Sequence, residues 1–570
     1  MIRTISSILV MIKEKIDKIN PFPLALILLV IFTLLPLVTY NFTTAPGDMA
    51  EYINNPLRVI NGELPYRDFW LLFPPGEVFL PALIYRLFGL NINILLVFSL
   101  IISAFVGMFS FFLGRAIFQD NYFASILAII VYFNGITQYE GYTYIHMYFL
   151  LLLISAYFFM NYIRNNGAVI KLFMAGIFLG FAFIFSIYEV GAASLAFFII
   201  TFIHSKHDRK PFDQWIKTIA VFGSGILAVV GLASLSLSEI WQPMIREIAI
   251  KSLLHGTAMN LPYFHDSIAY LGQIIEGIKG VWVNGSIYYM IIIFARVADF
   301  IRITISYLLP FLLLGISIWY LVGKRLRKSD KVIVLFFLLW GMFTFPKALG
   351  RSDITHLVSS ITPLFFLLIF FLQKNFEKRE ENKTFHRKYI TYGLIVTTLF
   401  LLIKVPMFLL STGIALAGSH YEVRTEYGTL LFFNESEAIN VNNVISYINK
   451  YTDERDYIFV TPWMAPPFYA LTNRKNPTYY DSLIDLVAQP SDEKQIKICY
   501  DLLKKNTKQI IHFPIWGFGK GQNFLNTCPI LQKCIEDEYE LKEKYGNYWI
   551  YVQKSDVRKS IMLPKNRTGQ

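Results

Sequence analysis

Apolar residues fill most of the first 410 positions in long runs separated by short polar stretches. A helix needs roughly 20 apolar residues to cross the hydrocarbon core of a bilayer. The pattern predicts eleven crossings, at 21–40, 91–114, 122–138, 143–163, 171–187, 189–204, 217–237, 303–322, 332–346, 356–372 and 389–410. Between Leu172 and His204 the one charged residue is Glu189, so that run reads as two short helices meeting at Ser186–Gly191. A carboxylate at such depth is costly unless paired or wetted. The competing reading is a loop glutamate at the outer surface. Glu77–Gly89 is apolar but short and carries Arg86, and is expected to lie at the outer interface.

Two long polar segments interrupt this pattern, at 41–90 and 238–302. The first contains APGDMAEYINNPLRVINGELPYRDFWLLFPPG from Ala45 to Gly76, unusually charged and aromatic for a spacer between spans. The second ends in FARVADFIR, where Arg296, Asp299 and Arg302 recur at helical spacing, as on a helix along the interface. Its Arg246, Lys251, His255, His265 and Asp266 either line a site or form a solvated face. From about Glu435 the pattern changes to helices alternating with short apolar strands: EAINVNNVISYINKY, DYIFVTP, KQIKICYDLLKK, KQIIHFP and NYWIYVQK. That alternation predicts a small α/β domain. It holds no phosphate loop, nucleophile elbow or metal-binding pattern, which leaves it acceptor binding or packing over the site.

A chain of 570 residues, 55% hydrophobic with mean hydropathy +0.47, belongs to the membrane class. Its net charge of +12 does not point to nucleic acid, because the cations lie mostly in short loops between spans. There they set orientation. With the N-terminus cytoplasmic, the predicted inner loops hold Arg115, Arg164, Lys171, Lys206, Lys324, Arg325, Lys331, Lys374 and Arg387, while the short outer loops at 138–142 and 187–189 hold none. Residues 1–20, with Lys13, Lys15 and Lys18 ahead of Pro21–Tyr40, resemble a retained signal anchor. The reading is therefore a multi-pass inner (plasma) membrane protein: a cytoplasmic segment 1–20, a membrane domain 21–410, and an external domain 411–570. Cys499, Cys528 and Cys534 all fall in that last domain. An external location permits one disulfide with one thiol left over; three unpaired thiols are the alternative.

Candidate chemistry gathers on the predicted outer side. Asp48 follows the first span by eight residues; Asp48-x-x-Glu51 is also a capping-box pattern, so Asp48 reads as a base, a helix cap, or both. Asp68 beside Pro65 reads as a turn residue or a second catalytic acid, and Arg58 as a solvated helix position. The segment FPKALGRSDITHLVSS places Lys347, Arg351, Asp353 and His356 within ten residues. Positive charge in a short outer loop opposes the orientation rule, so it calls for a bound anion or an internal salt bridge.

GELPYRDF followed by PPG, the helix ending LFG at Leu87–Gly89, an Asp early in the first outer loop, and GRSDITHL together resemble the GT-C superfamily of membrane glycosyltransferases. The resemblance covers roughly residues 20–410. It implies a polytopic α-helical membrane fold of about 11 transmembrane helices with a small C-terminal α/β extracytoplasmic domain. It further implies a hexosyl- or pentosyltransferase that moves a sugar from a polyprenyl-phosphate donor to a lipid, glycan or protein acceptor outside the membrane. The residues implied are Asp48 and Asp68 for catalysis, and Glu51, Tyr66, Arg67, Lys347, Arg351, Asp353 and His356 for substrate binding. No metal ligand is implied and no cofactor is certain, a divalent cation being an option. Protein mannosyltransferases carry Asp-Glu where this chain has Asp48-Met49. Aminoarabinose transferases carry Glu-Lys before the Pro-Pro where it has Leu72-Phe73, so Arg67 or Arg351 would take over that lysine's phosphate. A lipid-linked glycan polymerase or ligase, and a non-enzymatic transporter or flippase, are the alternatives.

Overall fold

The computed structural model describes residues 11–38, 49–71, 73–135, 144–164, 168–207, 212–251, 261–284, 287–323, 326–377, 385–461, 465–480, 483, 491–514 and 524–554. The chain forms two compact bodies. One comprises Met1–Tyr40, Val97–Trp241 and Ser252–Ala417; the other comprises Asn41–Leu96, Gln242–Lys251 and Gly418–Gln570.

The first body is a helical bundle. Among the described residues seven helices are long and apolar enough to cross a bilayer, and the pair Met11–Asp17 and Pro21–Leu37, bent by 106°, makes an eighth. The shorter apolar helices Asn121–Asn134, Val169–Phe183 and Tyr188–His204 bring the set to the eleven predicted runs, each of which falls on a helix. Ile354–Glu377 is the most enclosed, with 83% of its apolar window buried against its neighbours. Aromatic rings fill the bundle: Phe159 lies 4.8 Å from Phe197, Phe197 lies 4.9 Å from Phe336, and Phe337 stacks on Phe366 at 4.7 Å. Val169–Phe183 and Phe212–Ser236 approach backbone to backbone. A Cβ on Gly176 would stand 2.1 Å from the Phe222 carbonyl oxygen, and one on Gly225 2.5 Å from that of Phe173. Small residues at a helix crossing serve this purpose in lipid, where burial of apolar surface gives little drive. The outer face of Phe212–Ser236 leaves Leu227, Leu232 and Leu235 exposed, a surface suited to lipid tails.

The predicted inner loops converge on one end of this bundle. Lys13 Nζ pairs with Asp120 Oδ2 at 2.5 Å, and Asp17 accepts the Asn121 N–H at 2.8 Å. Arg164 donates to the Ala116 carbonyl at 2.7 Å, Gln373 to that of Phe118 at 2.9 Å, and Lys374 pairs with Asp330 at 3.3 Å. Lys347 lies at the far end of the helix Lys328–Gly350 from Asp330, about 25 Å away at 1.5 Å per residue. The alternation of loops between the two ends thus follows the predicted parity.

The second body joins the opening loop to the C-terminal region. Strands β1 (Tyr421–Thr425) and β2 (Gly428–Phe432) form a hairpin. It holds the start of the helix Ile92–Phe118: Ile92 N–H donates to the Tyr427 carbonyl at 2.9 Å, and Asn93 exchanges two hydrogen bonds with Thr429. Strands β3 (Ile458–Thr461), β4 (Gln509–His512), β5 (Tyr539–Tyr545) and β6 (Tyr548–Gln553) make a mixed sheet in the order β3-β4-β6-β5, with β3 and β4 parallel. The helix Asp492–Lys504 crosses over between those two, as a parallel connection requires. Its Ile498 and Leu502 share a core with Phe459, Ile510, Leu531 and Ile535. All five sequence-predicted elements of this domain are present. The hairpin β1–β2 and strand β5 (YELKEKY) were not expected: β5 is an edge strand with charged residues on both faces, so no alternation marks it.

Cys499 and Cys534 form a disulfide between Asp492–Lys504 and the helix Pro529–Glu538, and Cys528 is a buried thiol. The bond closes a sequence separation of 35 residues, so Cys499→Ser should cost this body about 3–4 kcal/mol by the chain-entropy relation. Pulse proteolysis of oxidised parent and variant measures the loss. Cys528 should resist maleimide in both until the domain unfolds.

Candidate functional site

In the second body, the helix Met49–Ile60 closes with a C-terminal motif built on Gly62 (φ 88°). Glu63 N–H reaches back to the Arg58 carbonyl at 2.9 Å and Gly62 N–H to that of Val59 at 3.0 Å. The chain then turns tightly through Leu64–Phe69. Leu64 N–H donates to Asp68 Oδ2 at 2.8 Å, and Asp68 N–H returns to the Leu64 carbonyl at 2.9 Å. Tyr66 N–H donates to the Phe69 carbonyl at 2.6 Å, with Tyr66 itself at φ 63°. This is the conformation cost that the surrounding hydrogen bonds sustain.

Arg58 is the hub of that turn. It is 8% exposed, so the expected solvated helix position is incorrect. Its Nε donates to Glu63, its Nη1 to the Thr478 carbonyl at 2.8 Å and its Nη2 to the Asp68 carbonyl at 3.2 Å. The guanidinium also lies over the Phe69 ring, 4.7 Å from its centroid. The periodicity that suggested a solvated face takes no account of a second segment, Thr478–Tyr479, arriving from 410 residues away. Trp70 N–H donates to the Tyr479 carbonyl at 2.7 Å, and Tyr479 Oη donates to the Tyr66 carbonyl at 3.1 Å.

Of the predicted loop residues, Tyr66 is buried with its hydroxyl donated to the Phe73 carbonyl. Burial pushes that hydroxyl's pKa up, helped by the Glu77 and Glu247 carboxylates. Arg67 is exposed and grips Asp68, with Nη2 2.7 Å from Oδ2. That hydrogen bond, together with the Leu64 N–H and the Arg67 and Arg58 charges, holds the Asp68 carboxyl below the usual range against the opposing effect of burial. Asp68 is thus a turn-holding carboxylate, poorly suited to taking a proton. Glu51 lines a small cleft with Asn54, Asn55, Arg474 and Asn476. Asp48 lies outside the described residues.

The remaining predicted residues lie in the first body, where Lys328–Gly350 ends and Ile354–Glu377 begins. Asp353 is the N-cap of the second helix. Its Oδ1 accepts the His356 N–H at 3.0 Å, lies 2.7 Å from His356 Nδ1 and also accepts from Thr355; its Oδ2 accepts Arg351 Nε at 2.8 Å. Burial opposes charge on Asp353. The hydrogen bond from His356, with Arg351 and the Thr355 hydroxyl, outweighs it and holds the carboxyl well below its usual range. Asp266, read from the sequence as either lining a site or lying on a solvated face, reaches the same turn and accepts the Ile354 N–H. Burial raises its pKa, and the neighbouring Asp353 charge raises it further.

Lys347 pairs with Glu189, which also accepts from the Ser186 hydroxyl. Glu189 begins the helix Tyr188–His207 and is only 6% exposed, so the surface-loop reading of this acid is overturned. The positive charge that looked anomalous in sequence is therefore matched by carboxylates. Lys347, Arg351 and His356 each keep about a quarter of the side chain exposed. Among the described residues no three His, Cys, Asp or Glu side chains gather as a metal site.

Two measurements check these pairings. Lys347→Met should leave the buried Glu189 carboxylate uncompensated and destabilise the bundle by about 3–5 kcal/mol. Adding Glu189→Gln should recover most of that, as thermal unfolding in detergent would reveal. For Asp353 the folded pKa is depressed, so its contribution is complete above the unfolded value near pH 4 and fades as pH falls towards the folded one. The gap in melting temperature between parent and Asp353→Asn should therefore narrow as pH falls below about pH 4.

No protein-family model matches the sequence, and no curated protein is detectably similar to it. Solved structures are. ArnT from Cupriavidus metallidurans bound to undecaprenyl phosphate superposes with a TM-score of 0.52 at 10% identity, over 94% of this chain and 98% of that one. The Archaeoglobus fulgidus oligosaccharyltransferase, in complex with zinc and sulfate, gives 0.49 at 14% identity over 94% of this chain and 73% of that one. The chain thus shares the polytopic fold of that ArnT structure.

Proposed function

We propose that this protein transfers a sugar from a polyprenyl-phosphate donor to an acceptor at the extracytoplasmic face of the membrane. The observation that carries the reading is the helix break at Lys347–His356. There an arginine, a lysine and a histidine are collected at one end of an apolar bundle, pre-oriented by Asp353 and Glu189. ArnT, whose fold the chain shares, holds undecaprenyl phosphate. A phosphate monoester on a lipid tail needs cations beside apolar surface, and the leaving phosphate needs them most.

In the proposed step the acceptor hydroxyl oxygen attacks the anomeric carbon of the donor sugar. The bond from that carbon to the phosphate oxygen breaks, and polyprenyl phosphate leaves with the electron pair. The hydroxyl proton passes to a carboxylate. Asp48 is the proposed base, since Asp68 is committed to Arg67 and Leu64. Arg351 is the proposed phosphate ligand, because Asp353 holds its planar guanidinium in a fixed orientation at the helix break with about a quarter of the side chain exposed. The opening loop and the C-terminal region are proposed to face outside, since the disulfide in the body they form belongs to an oxidising compartment.

The experiment supplies purified protein with polyprenyl-phosphate sugars and follows release of polyprenyl phosphate. Asp48→Asn keeps capping capacity, loss of which costs about 1 kcal/mol, but removes basicity, which commonly costs about a hundredfold to ten-thousandfold in rate. Transfer should nearly vanish with donor binding retained. Arg351→Ala should weaken donor binding itself. An Asp48→Asn variant that folds and transfers at the parent rate would remove Asp48 from the mechanism. Uptake of a soluble solute without donor turnover would replace the transferase reading with a transporter.

A further inference from the structure

Within the second body, the Leu64–Phe69 turn and the helix Asp492–Lys504 face each other across an open cavity of about 990 Å³. That is the upper end of the range for small-molecule sites. Its floor is Asn476–Tyr480, fixed on both sides. Arg58 and Trp70 hold the Thr478 and Tyr479 carbonyls, and Asp501 of the helix accepts the Tyr479 N–H at 3.3 Å. The cavity is therefore built from three distant segments clamped together, not a dip in a loop.

Its chemistry is uneven. The helix buries Gln495, Ile498, Asp501 and Leu502 and turns Lys494, Lys497, Tyr500 and Lys504 towards the cavity along one stripe. Arg67 faces them from the other wall. Six cationic side chains line the cavity against four carboxylates. Three of those carboxylates are held by specific cations: Glu63 by Arg58, Asp68 by Arg67, and Asp501 by Lys497 at 2.5 Å. Tyrosine rings lie among the ammonium groups, with Lys494 Nζ 5.9 Å from the Tyr480 centroid and Lys504 Nζ 5.4 Å from that of Tyr500.

We infer that this cavity binds an acidic oligosaccharide, that is, pyranose rings bearing carboxylate or phosphate groups. Tyrosine offers a flat apolar face with a polar edge, which suits a sugar ring, and the lysines select for its negative charge. An open cleft with tyrosines in its walls fits a short glycan better than a flat lipid surface. In the transferase reading, on which this role rests, the glycan is the acceptor or its acidic portion, presented by the same body that carries the opening loop.

The test is a binding measurement that needs no donor and no turnover, so it can fail while polyprenyl phosphate release succeeds, and the reverse. Fluorescently labelled tetragalacturonate is titrated into the full-length protein in detergent, with maltotetraose and glycerol phosphate as competitors. Saturable binding that weakens with added salt and resists maltotetraose is expected. Lys494→Ala with Lys504→Ala, both on the surface, should weaken it about five- to tenfold. Lys542→Ala with Lys544→Ala, on strand β5, should leave it unchanged. An equal loss in both variants would mean diffuse surface charge and overturn the proposal. So would binding indifferent to Lys494 and Lys504, maltotetraose binding as tightly, or displacement by glycerol phosphate alone, which would mark a lipid-headgroup face.

Discussion

One buried guanidinium decides whether the opening loop has a structure at all. Arg58 spends its donors on a carboxylate and two backbone carbonyls, one in its own turn and one in the C-terminal region. A charge this buried is tolerated only when its hydrogen bonds are complete. The turn and the Thr478–Tyr479 segment must therefore form together. The αL conformation of Tyr66, the exposure of Arg67 and the shape of the cavity floor all follow from that joint requirement. Lysine could not replace it, since a point charge cannot address three acceptors in a fixed plane.

The membrane body solves the same problem at helix breaks. Glu189 opens a helix just after the break at 184–187, and Asp353 caps another just after the break at 351–353. Helix starts leave N–H groups without partners, so a carboxylate there satisfies backbone and cation at once. That is why the acids and the cations of this region occur as matched pairs.

Much of the membrane architecture was legible in the sequence, because span length and the distribution of lysine and arginine are local signals. Each of the eleven runs became a helix, and the loops alternate between ends as expected. The break at Ser186–Gly191 was legible for the same reason. The partners were not. Glu189 finds Lys347 from 158 residues away and Arg58 finds Thr478 from 420, and no periodicity encodes such pairings. Asp266 reaches Ile354 in the same way. The charged edge strand β5 escaped because Glu543 breaks its alternation, and the hairpin β1–β2 because each of its strands is only five residues long.

Pairing also separates the roles that the cations can play. Lys347 carries one compact charge, and Glu189 beside it is nearly fully buried; withdrawing the ammonium to a ligand would strand that carboxylate. Its natural task is to hold two helices. Arg351 differs, because its Nε donates to Asp353, which fixes the plane of the guanidinium. The cations along Asp492–Lys504 differ again: cationic side chains outnumber carboxylates around the cavity, although Lys497 is paired with Asp501. The three settings thus differ in burial and in the nearest carboxylate.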